Sequence, residues 1–369
     1  MEKNTADNSG SGRVVLYDWL RIIATIWVII GHSVFLHASL APGGDTDALV
    51  AGFSPVYNSG LLSFCRFLSG WVYIFHMPLF FALSGAVLAL KPLGDFDTFV
   101  RRKAARLLIP YYTAGLLFMI PVKFLSGVYD ASSLPEVIRE FLSCNEDINS
   151  HLWFLPALFW LMILFAVFSK VLSRLKINSI YALLILAGLV SLCYQRVPFD
   201  LLFLKRGLDY MFYFTFGYVF ETERRRRPAL KTSVALIALA LLLVIELLYK
   251  KYLILNSFSG LVCGCALSLL LALLCDRFLT GFTKTRIWSV LMRDLFAVYL
   301  FHDPLEYATA AFFVKTGLMG SGLGCVLYTF MRMLGVGILA ILIMELLRFI
   351  VKTILSVIRS TTPSQEADH

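Results

Sequence analysis

Long apolar stretches, each interrupted by few or no charges, recur through this whole chain. A helix that crosses the hydrocarbon core of a bilayer needs about 20 such residues. Hydrophobic residues make up 59% of the sequence and charged residues 15%, so little chain is left for a separate extramembrane domain. The pattern predicts an all-α fold, a polytopic membrane helix bundle of about ten transmembrane helices. It excludes a soluble enzyme, a nucleic-acid-binding domain and a disordered protein. The predicted spans are 15–36, 67–90, 104–122, 152–172, 178–195, 201–220, 232–249, 252–275, 287–313 and 323–351.

The placement of Lys and Arg predicts how these spans are oriented. With the N-terminus inside, most of the 33 basic residues fall in cytoplasmic segments, as the positive-inside rule requires. Both termini are therefore predicted to be cytoplasmic, with disordered tails at 1–14 and 353–369 around a membrane domain at 15–352. The span at 201–220 is the weakest, because three charges interrupt it. It is kept because the later basic loops would otherwise change sides.

The first span holds the best set of polar candidates. An ionisable group inside the bilayer costs at least ~2.5 kcal/mol, so each one is a candidate for function. Arg21 and His32 lie on one helical face, about 16 Å apart along the axis. Asp18 and Thr25 lie near the same face, and Asp18 is spaced to pair with Arg21. Arg21 is either a snorkelling interfacial residue or a functional cation, and His32 is either a hydrogen-bonded core residue or a base.

Histidine also occurs in the second span and at the start of the fourth. In the second span, Pro78 removes a backbone donor and Ser84 precedes a glycine, so a kink or break is expected. His76 either caps the freed backbone there or belongs to a site. At the fourth span, His151 and Trp153 are predicted to anchor the helix at the membrane interface.

A run of basic residues marks the inner mouth of the third span. Such a run is either a topology signal, which lipid headgroups would also satisfy, or an anion site. In the second case guanidinium groups would bind the phosphates of a nucleotide-like donor in bidentate fashion. The run contains Arg101, Arg102, Lys103 and Arg106.

The ninth span carries three ionisable residues around a proline. His302 and Glu306 are four residues apart and share a face, and Asp303 lies beside them. Because three such groups are costly in a membrane, a polar cavity is favoured over a purely structural cluster. No role is predicted for three residues that stand alone in the sequence, namely Glu246, Arg332 and Glu345.

The cysteine pattern contains no metal-binding spacing, so no metal is predicted. Most of the seven cysteines lie in or near spans, where a thiol acts as a small apolar filler. Cys65 and Cys144 fall near predicted outer loops. The sequence leaves open whether they form a disulfide.

Five segments in series resemble the acyltransferase-3 family of integral membrane acyltransferases, and the resemblance covers nearly the whole chain. They are Arg21 with His32 on the first helix, HMPLFFALSG at 76–85, RRKAARLLIPYY at 101–112, HLWFLPAL at 151–158 and YLFHDPL at 299–305. The resemblance implies ten or more helices. It also implies transfer of an acyl group, most often acetyl, from cytoplasmic acyl-CoA to a sugar of a surface glycan or lipid-linked precursor. The second and fourth segments resemble most the exopolysaccharide and sugar O-acetylase branch.

The same resemblance implies roles for particular residues. Arg21 and His32 correspond to the family's first-helix arginine and histidine, and Arg101, Arg102 and Arg106 to its basic cluster. The expected chemistry is O-acetylation in a bacterial inner membrane, with acetyl-CoA as donor, a sugar acceptor, no metal and no nucleic acid. His32 would be the general base. Arg21 and His302 are the other catalytic candidates, and the expected supporting residues are Asp18, His76, Ser84, Trp153 and Glu306.

Two other classes of protein share some of these features. A proton-coupled transporter or glycan exporter also needs intramembrane ionisable residues and a proline-broken helix. The basic cluster combined with a deep histidine favours the enzyme. A catalytically inactive scaffold is disfavoured, because the charged motif positions are all present.

Overall fold

The regular elements of this protein are helices in every part of the chain that the structure describes. The computed structural model describes residues 14–38, 59–144, 146–177, 179–226, 253–318 and 321–361. The predicted all-α fold is therefore confirmed for these residues. The predicted span at 232–249 and residues 1–13 lie outside them.

Fourteen α-helices form the described part of the chain, linked by short 3₁₀ and π turns. The first seven are α1 (Val15–Ala38), α2 (Ser59–Leu88), α3 (Phe96–Ala114), α4 (Ile120–Leu125), α5 (Leu134–Leu142), α6 (Glu146–Asn149) and α7 (Phe154–Arg174). The others are α8 (Ile180–Cys193), α9 (Leu204–Asp209), α10 (Met211–Arg226), α11 (Leu253–Phe278), α12 (Arg286–Lys315), α13 (Gly322–Phe330) and α14 (Val336–Thr361).

Six helical stretches among the described residues are long and apolar enough to cross a membrane. This number covers only part of the chain, so the total of ten stays a prediction. The weakest predicted span, 201–220, is divided into α9 and α10. Tyr210 separates the two helices. Leu202 and Phe203, just before α9, have positive φ angles of 51° and 58°, so the first residues of the predicted span are not helical. The six stretches are Val15–His32, Gly70–Leu88, Phe96–Leu125, Ser150–Arg174, Ser259–Phe278 and Val326–Val357.

Helix α2 lies at the centre of the packing and contacts α1, α10 and α11. It crosses α10 so closely that a Cβ atom added to Gly85 would lie 1.8 Å from the carbonyl oxygen of Phe214. A Cβ on Gly217 would lie equally close to the carbonyl oxygen of Ala82. Only glycine permits this backbone approach, which is typical of helix pairs in membranes.

The expected break at Pro78 is not observed, since α2 runs as one helix from Ser59 to Leu88. Proline removes only one donor from the ladder, and packing against neighbouring helices compensates within a membrane bundle. The imidazole Nδ1 of His76 donates to the carbonyl oxygen of Val72 at 2.8 Å, and not to the carbonyl of Ile74 that Pro78 leaves without its usual donor. Ser84 donates to the carbonyl oxygen of Phe80 at 2.8 Å.

The starts of α1 and α12 and the end of α10 lie at one end of the bundle, here called the Arg21 end. Trp19 packs on Trp288 with ring centroids 4.6 Å apart, and the Tyr17 hydroxyl donates to Glu221. The opposite end is called the His32 end. Because α1 and α12 run in the same direction, residues at equal distances from their starts lie at equal depth.

An ion-pair network joins α12 to α14 at the Arg21 end. The buried carboxylate of Asp294 contacts Arg348 and also Arg293, the latter at 3.1 Å. Glu345 contacts Arg348 at 2.7 Å and also contacts Arg293. The expectation that Glu345 stands alone is therefore wrong, because it pairs with Arg348 one turn along α14 and with Arg293 on α12. Glu246 lies outside the described residues.

The C-terminal helix is longer than the sequence predicts. The disordered tail was expected from position 353, but α14 continues to Thr361. Ile354, Leu355 and Val357 extend the apolar helical pattern past 352, which favours continuation of the helix.

Of the two cysteines near predicted outer loops, Cys144 carries a free thiol. The side chain of Cys65 lies outside the described residues.

The charge distribution predicts which end faces the cytoplasm. A reporter fused after Arg226 is expected to score as cytoplasmic, and one inserted near Asp130 as external, because basic segments are retained inside. Alkaline phosphatase and fluorescent-protein fusions at both positions measure this. Equal location of the two reporters would contradict the predicted spans between them.

Candidate functional site

At the His32 end, the predicted base His32 meets Asp303, which the sequence places in a polar cavity without a specific role. His32 lies on α1 and Asp303 on α12, each about five turns, or ~25 Å, after the start of its helix. The two side chains meet with His32 Nδ1 3.7 Å from Asp303 Oδ1. His32 keeps 20% of its side chain exposed, compared with 6% for Asp303. The histidine is thus the accessible member of this pair.

The Asp303 carboxylate is the hub of this site. Its Oδ2 lies 3.0 Å from Lys123 Nζ and 3.4 Å from His151 Nδ1. Its Oδ1 accepts a hydrogen bond of 3.1 Å from the Ser150 hydroxyl and faces His32. Four groups from two helices and one 3₁₀ turn therefore converge on one buried carboxylate, as burial of a charge requires.

Three imidazoles surround Asp303. The ring centroid of His302 lies 5.0 Å from that of His32 and 4.8 Å from that of His151. His302 Nδ1 donates to the carbonyl oxygen of Tyr299 at 2.7 Å, and its buried Nε2 has no hydrogen-bond partner among the described residues. The Tyr299 hydroxyl donates to the carbonyl oxygen of His151 at 2.6 Å.

A cavity of about 340 Å³ opens beside His32. Its wall is rich in aromatic rings with a few polar groups, which is typical of small-molecule sites. His302 does not line it, whereas His76, Trp153 and Glu306 do, together with Asp303. The remaining lining residues are Val28, Tyr73, Met77, Phe80, Ser150, His151, Phe154, Arg206, Tyr210, Tyr299 and Tyr307.

A second buried ion pair supports this cavity from behind. Arg332 Nη2 lies 2.7 Å from Glu306 Oε2, and Arg332 Nη1 donates to the Tyr328 hydroxyl at 3.1 Å. Both charged side chains are fully buried. A π turn at Met331–Gly335 carries Arg332, and such turns often occur at functional sites. The expectation that Arg332 stands alone is therefore wrong, because its partner Glu306 lies on another helix.

Lys123 and His151, the two basic side chains closest to the second carboxylate oxygen of Asp303, were not predicted as site residues from the sequence. Lys123 falls in the outer loop between the predicted spans 104–122 and 152–172, but α4 buries it at 2% exposure. His151 was expected at the membrane interface, but it is 4% exposed and contacts Asp303. A lysine within the apolar stretch around IPVKFL was the available signal for the first. Ser150 has a φ of 47°, an uncommon value for a residue other than glycine, in the turn that presents His151.

The other predicted first-helix residues lie at the Arg21 end. Arg21 Nη1 lies 3.3 Å from Asp18 Oδ1, which confirms the expected pair. Both residues line a separate cavity of about 430 Å³ with Arg293, Trp288, Ser289 and Met292. Thr25 donates to the carbonyl oxygen of Arg21. Two cavities therefore occupy opposite ends of the same face of α1.

The basic cluster lies at the start of α3. The Asp95 carboxylate caps this helix by accepting from the Thr98 N–H at 3.0 Å, and that hydrogen bond lowers the pKa of Asp95. The three arginines predicted to bind a donor are exposed and line neither of the two cavities. They are Arg101, Arg102 and Arg106.

Several apolar helices of membrane-spanning length, with ionisable residues buried between them, define a multi-pass membrane protein. The family model of the acyltransferase domain named acyltransferase-3 matches residues 15–358. The chain belongs to this family and is an acyltransferase of the membrane. No curated protein and no solved structure matches it.

Proposed function

We propose that this protein transfers an acyl group, acetyl in the first instance, from cytoplasmic acyl-CoA to a hydroxyl of a surface-glycan or lipid-linked sugar. The observation that carries the proposal is the contact between His32 and Asp303 at the wall of an aromatic-lined cavity. The proposal places the protein in the cell membrane, within the exopolysaccharide and sugar O-acetylase branch of its family.

His32 is the general base in this proposal. Its Nδ1 faces Asp303 at 3.7 Å, and such contacts often shorten when substrate binds. With the Nδ1 proton directed to the carboxylate, Nε2 is the nitrogen that accepts a proton. The acceptor oxygen attacks the thioester carbonyl while its proton passes to Nε2. The C–S bond then breaks, and the CoA sulfur takes up the proton.

His151 and His302 act on this reaction by positioning. His302 is fully buried and packs against the rings of His32 and His151 without lining the cavity. Its proposed part is therefore to hold the two rings, not to touch the substrate. His151 contacts the second carboxylate oxygen of Asp303 and limits how that group turns.

The donor enters from the Arg21 end. Arg21 lies about 16 Å along α1 from His32, so it binds the donor and does not touch the reacting atoms. Arg21 and Arg293 line the cavity there, and guanidinium groups match the geometry of phosphate oxygens. The exposed arginines of α3 add positive charge for the nucleotide part of the donor.

Replacing Arg101, Arg102 and Arg106 together with glutamine is expected to weaken acyl-CoA binding. The loss should be largest at low ionic strength, because salt screens exposed charges. Equilibrium binding of acetyl-CoA at two salt concentrations measures it. Arg139→Gln is the matched control, since Arg139 is also exposed but pairs with Glu136 on α5. Unchanged affinity at low salt would leave the cluster as a topology signal only.

The activity itself is tested with purified protein in detergent. Acetyl-CoA is supplied with and without a sugar, and free CoA and acetylated sugar are measured against the His32→Gln variant. Mass spectrometry of surface glycans from cells with and without the protein identifies the acceptor. Absence of CoA release, together with proton-dependent sugar uptake in vesicles, would instead support a transporter.

A further inference from the structure

The His32-end cavity has one side that faces the Arg21 end of the bundle, and the helix directions show which residues form it. Helix α2 runs antiparallel to α1. Leu20 belongs to the same packed cluster as Leu83, whereas a Cβ atom on Gly31 would lie 3.0 Å from the side chain of Val72. Residues nearer to the Arg21 end are therefore earlier ones on α1 and later ones on α2.

Four apolar side chains form this side of the cavity, here called the floor. Val28 lies one turn, or about 6 Å, before His32 on α1. Phe80 lies one turn after His76 on α2, and its ring centroid is 5.8 Å from that of Phe154. The floor residues are Val28, Met77, Phe80 and Phe154.

Tyr299 adds a ring beside the floor, with its hydroxyl already engaged. It lies one turn before Asp303 on α12, and its ring centroid is 5.7 Å from that of Phe154. Its hydroxyl donates to the carbonyl oxygen of His151 at 2.6 Å. The cavity residue Glu306 lies three residues beyond Asp303 in the opposite direction. The cavity is thus apolar towards the Arg21 end and more polar towards the His32 end.

We propose that the floor binds the acyl group of the donor and accepts only a short, uncharged one. The proposal rests on the proposed function and adds the class of acyl group. A donor that enters from the Arg21 end reaches the floor before it reaches His32. The acyl chain then lies on the floor while the thioester carbonyl faces the hydroxyl that His32 activates.

The size and chemistry of the floor limit what it can hold. The cavity volume of about 340 Å³ is near the lower end for small-molecule sites, and the acceptor hydroxyl shares this space. Met77 and Phe80 are half-buried, so both present surface to a ligand. None of the four floor side chains carries a hydrogen-bond donor, so the free carboxylate of a succinyl group would lose its hydration there without gaining a partner.

The test measures CoA release by the purified full-length protein from acetyl-CoA, butyryl-CoA and succinyl-CoA, with methyl β-glucoside as the acceptor probe. CoA release records transfer to the sugar and to water alike. The kcat/KM for acetyl-CoA is expected to exceed that for butyryl-CoA by at least about 10-fold, as for extra methylenes in a filled apolar pocket. It should exceed that for succinyl-CoA by about 100-fold or more, because a buried carboxylate is left unpaired.

Met77→Ala and Phe80→Ala are expected to raise the kcat/KM for butyryl-CoA relative to acetyl-CoA by about 10-fold, because the two extra methylenes fill the new space. Succinyl-CoA should stay a poor donor, since the enlarged floor is still apolar. Leu79→Ala is the matched control, because Leu79 is buried on the same helix and does not line the cavity. Each ratio comes from one preparation, so a lower yield of folded protein does not change it. Met77→Ala decides the question where Phe80→Ala does not fold.

An unchanged ratio of butyryl to acetyl in the floor variants would overturn the proposal and leave the proposed function intact. So would a wild-type protein that uses butyryl-CoA or succinyl-CoA as well as acetyl-CoA, or an equal shift of the ratio in Leu79→Ala. The proposed function fails separately, through a wild-type protein that releases CoA from none of the three donors, and the acyl floor fails with it.

Discussion

His32→Gln is expected to lower acyl transfer by about 10²- to 10⁴-fold, because that is the usual loss when a positioned general base is removed. Glutamine has similar size and can hydrogen-bond, but it cannot take up a proton at neutral pH. Acyl-CoA binding and the amount of folded protein should stay near wild type, since His32 is partly exposed to the cavity. Transfer rate, donor affinity and gel-filtration profile are measured on the same preparation.

His76→Gln and His302→Gln are the internal controls for this result. His76 lines the same cavity but donates to the carbonyl of Val72, and His302 is buried behind His32. Both should retain more activity than His32→Gln. A His32→Gln protein with more than about a tenth of the normal rate would refute the base assignment, since loss of a general base costs far more. Loss of folded protein would show that His32 is structural.

Asp303→Asn is expected to lower the free energy of unfolding by about 3–5 kcal/mol, because it leaves the buried ammonium of Lys123 without its counter-ion. The two atoms lie 3.0 Å apart, and both side chains are buried. Activity should also be lost, because the carboxylate that orients His32 is removed. Thermal unfolding in detergent and the rate of acyl transfer are the measurements.

The double variant Lys123→Met with Asp303→Asn separates stability from activity. Removing both charges eliminates the uncompensated ion, so most of the stability should return, whereas activity should not. Lys123→Met alone should be destabilised like Asp303→Asn, because it leaves Asp303 with only polar neighbours. Unfolding temperatures that add across the two single variants would contradict a direct Lys123–Asp303 interaction.

Much of the fold could be predicted from the sequence, because a span is a local property of about 20 consecutive residues. The apolar stretch beginning at 15 is α1, and that at 287–313 matches α12. The spacing of Arg21 and His32 placed them on one face of one helix, which needs only the period of the α-helix. The pair between Asp18 and Arg21 was also predictable, because its members are three residues apart.

Only the tertiary structure decided what each buried charge contacts. Lys123 and Asp303 are far apart in the sequence, as are Glu306 and Arg332, and neither helical period nor composition relates residues on different helices. His151 was assigned to the interface because depth alone does not show whether a residue faces lipid or protein. The sequence by itself determined the membrane class, the first-helix face and the motifs of the family. The packing of the helices determined the Asp303 site, because a charge in a membrane bundle is stable only where another helix brings its partner.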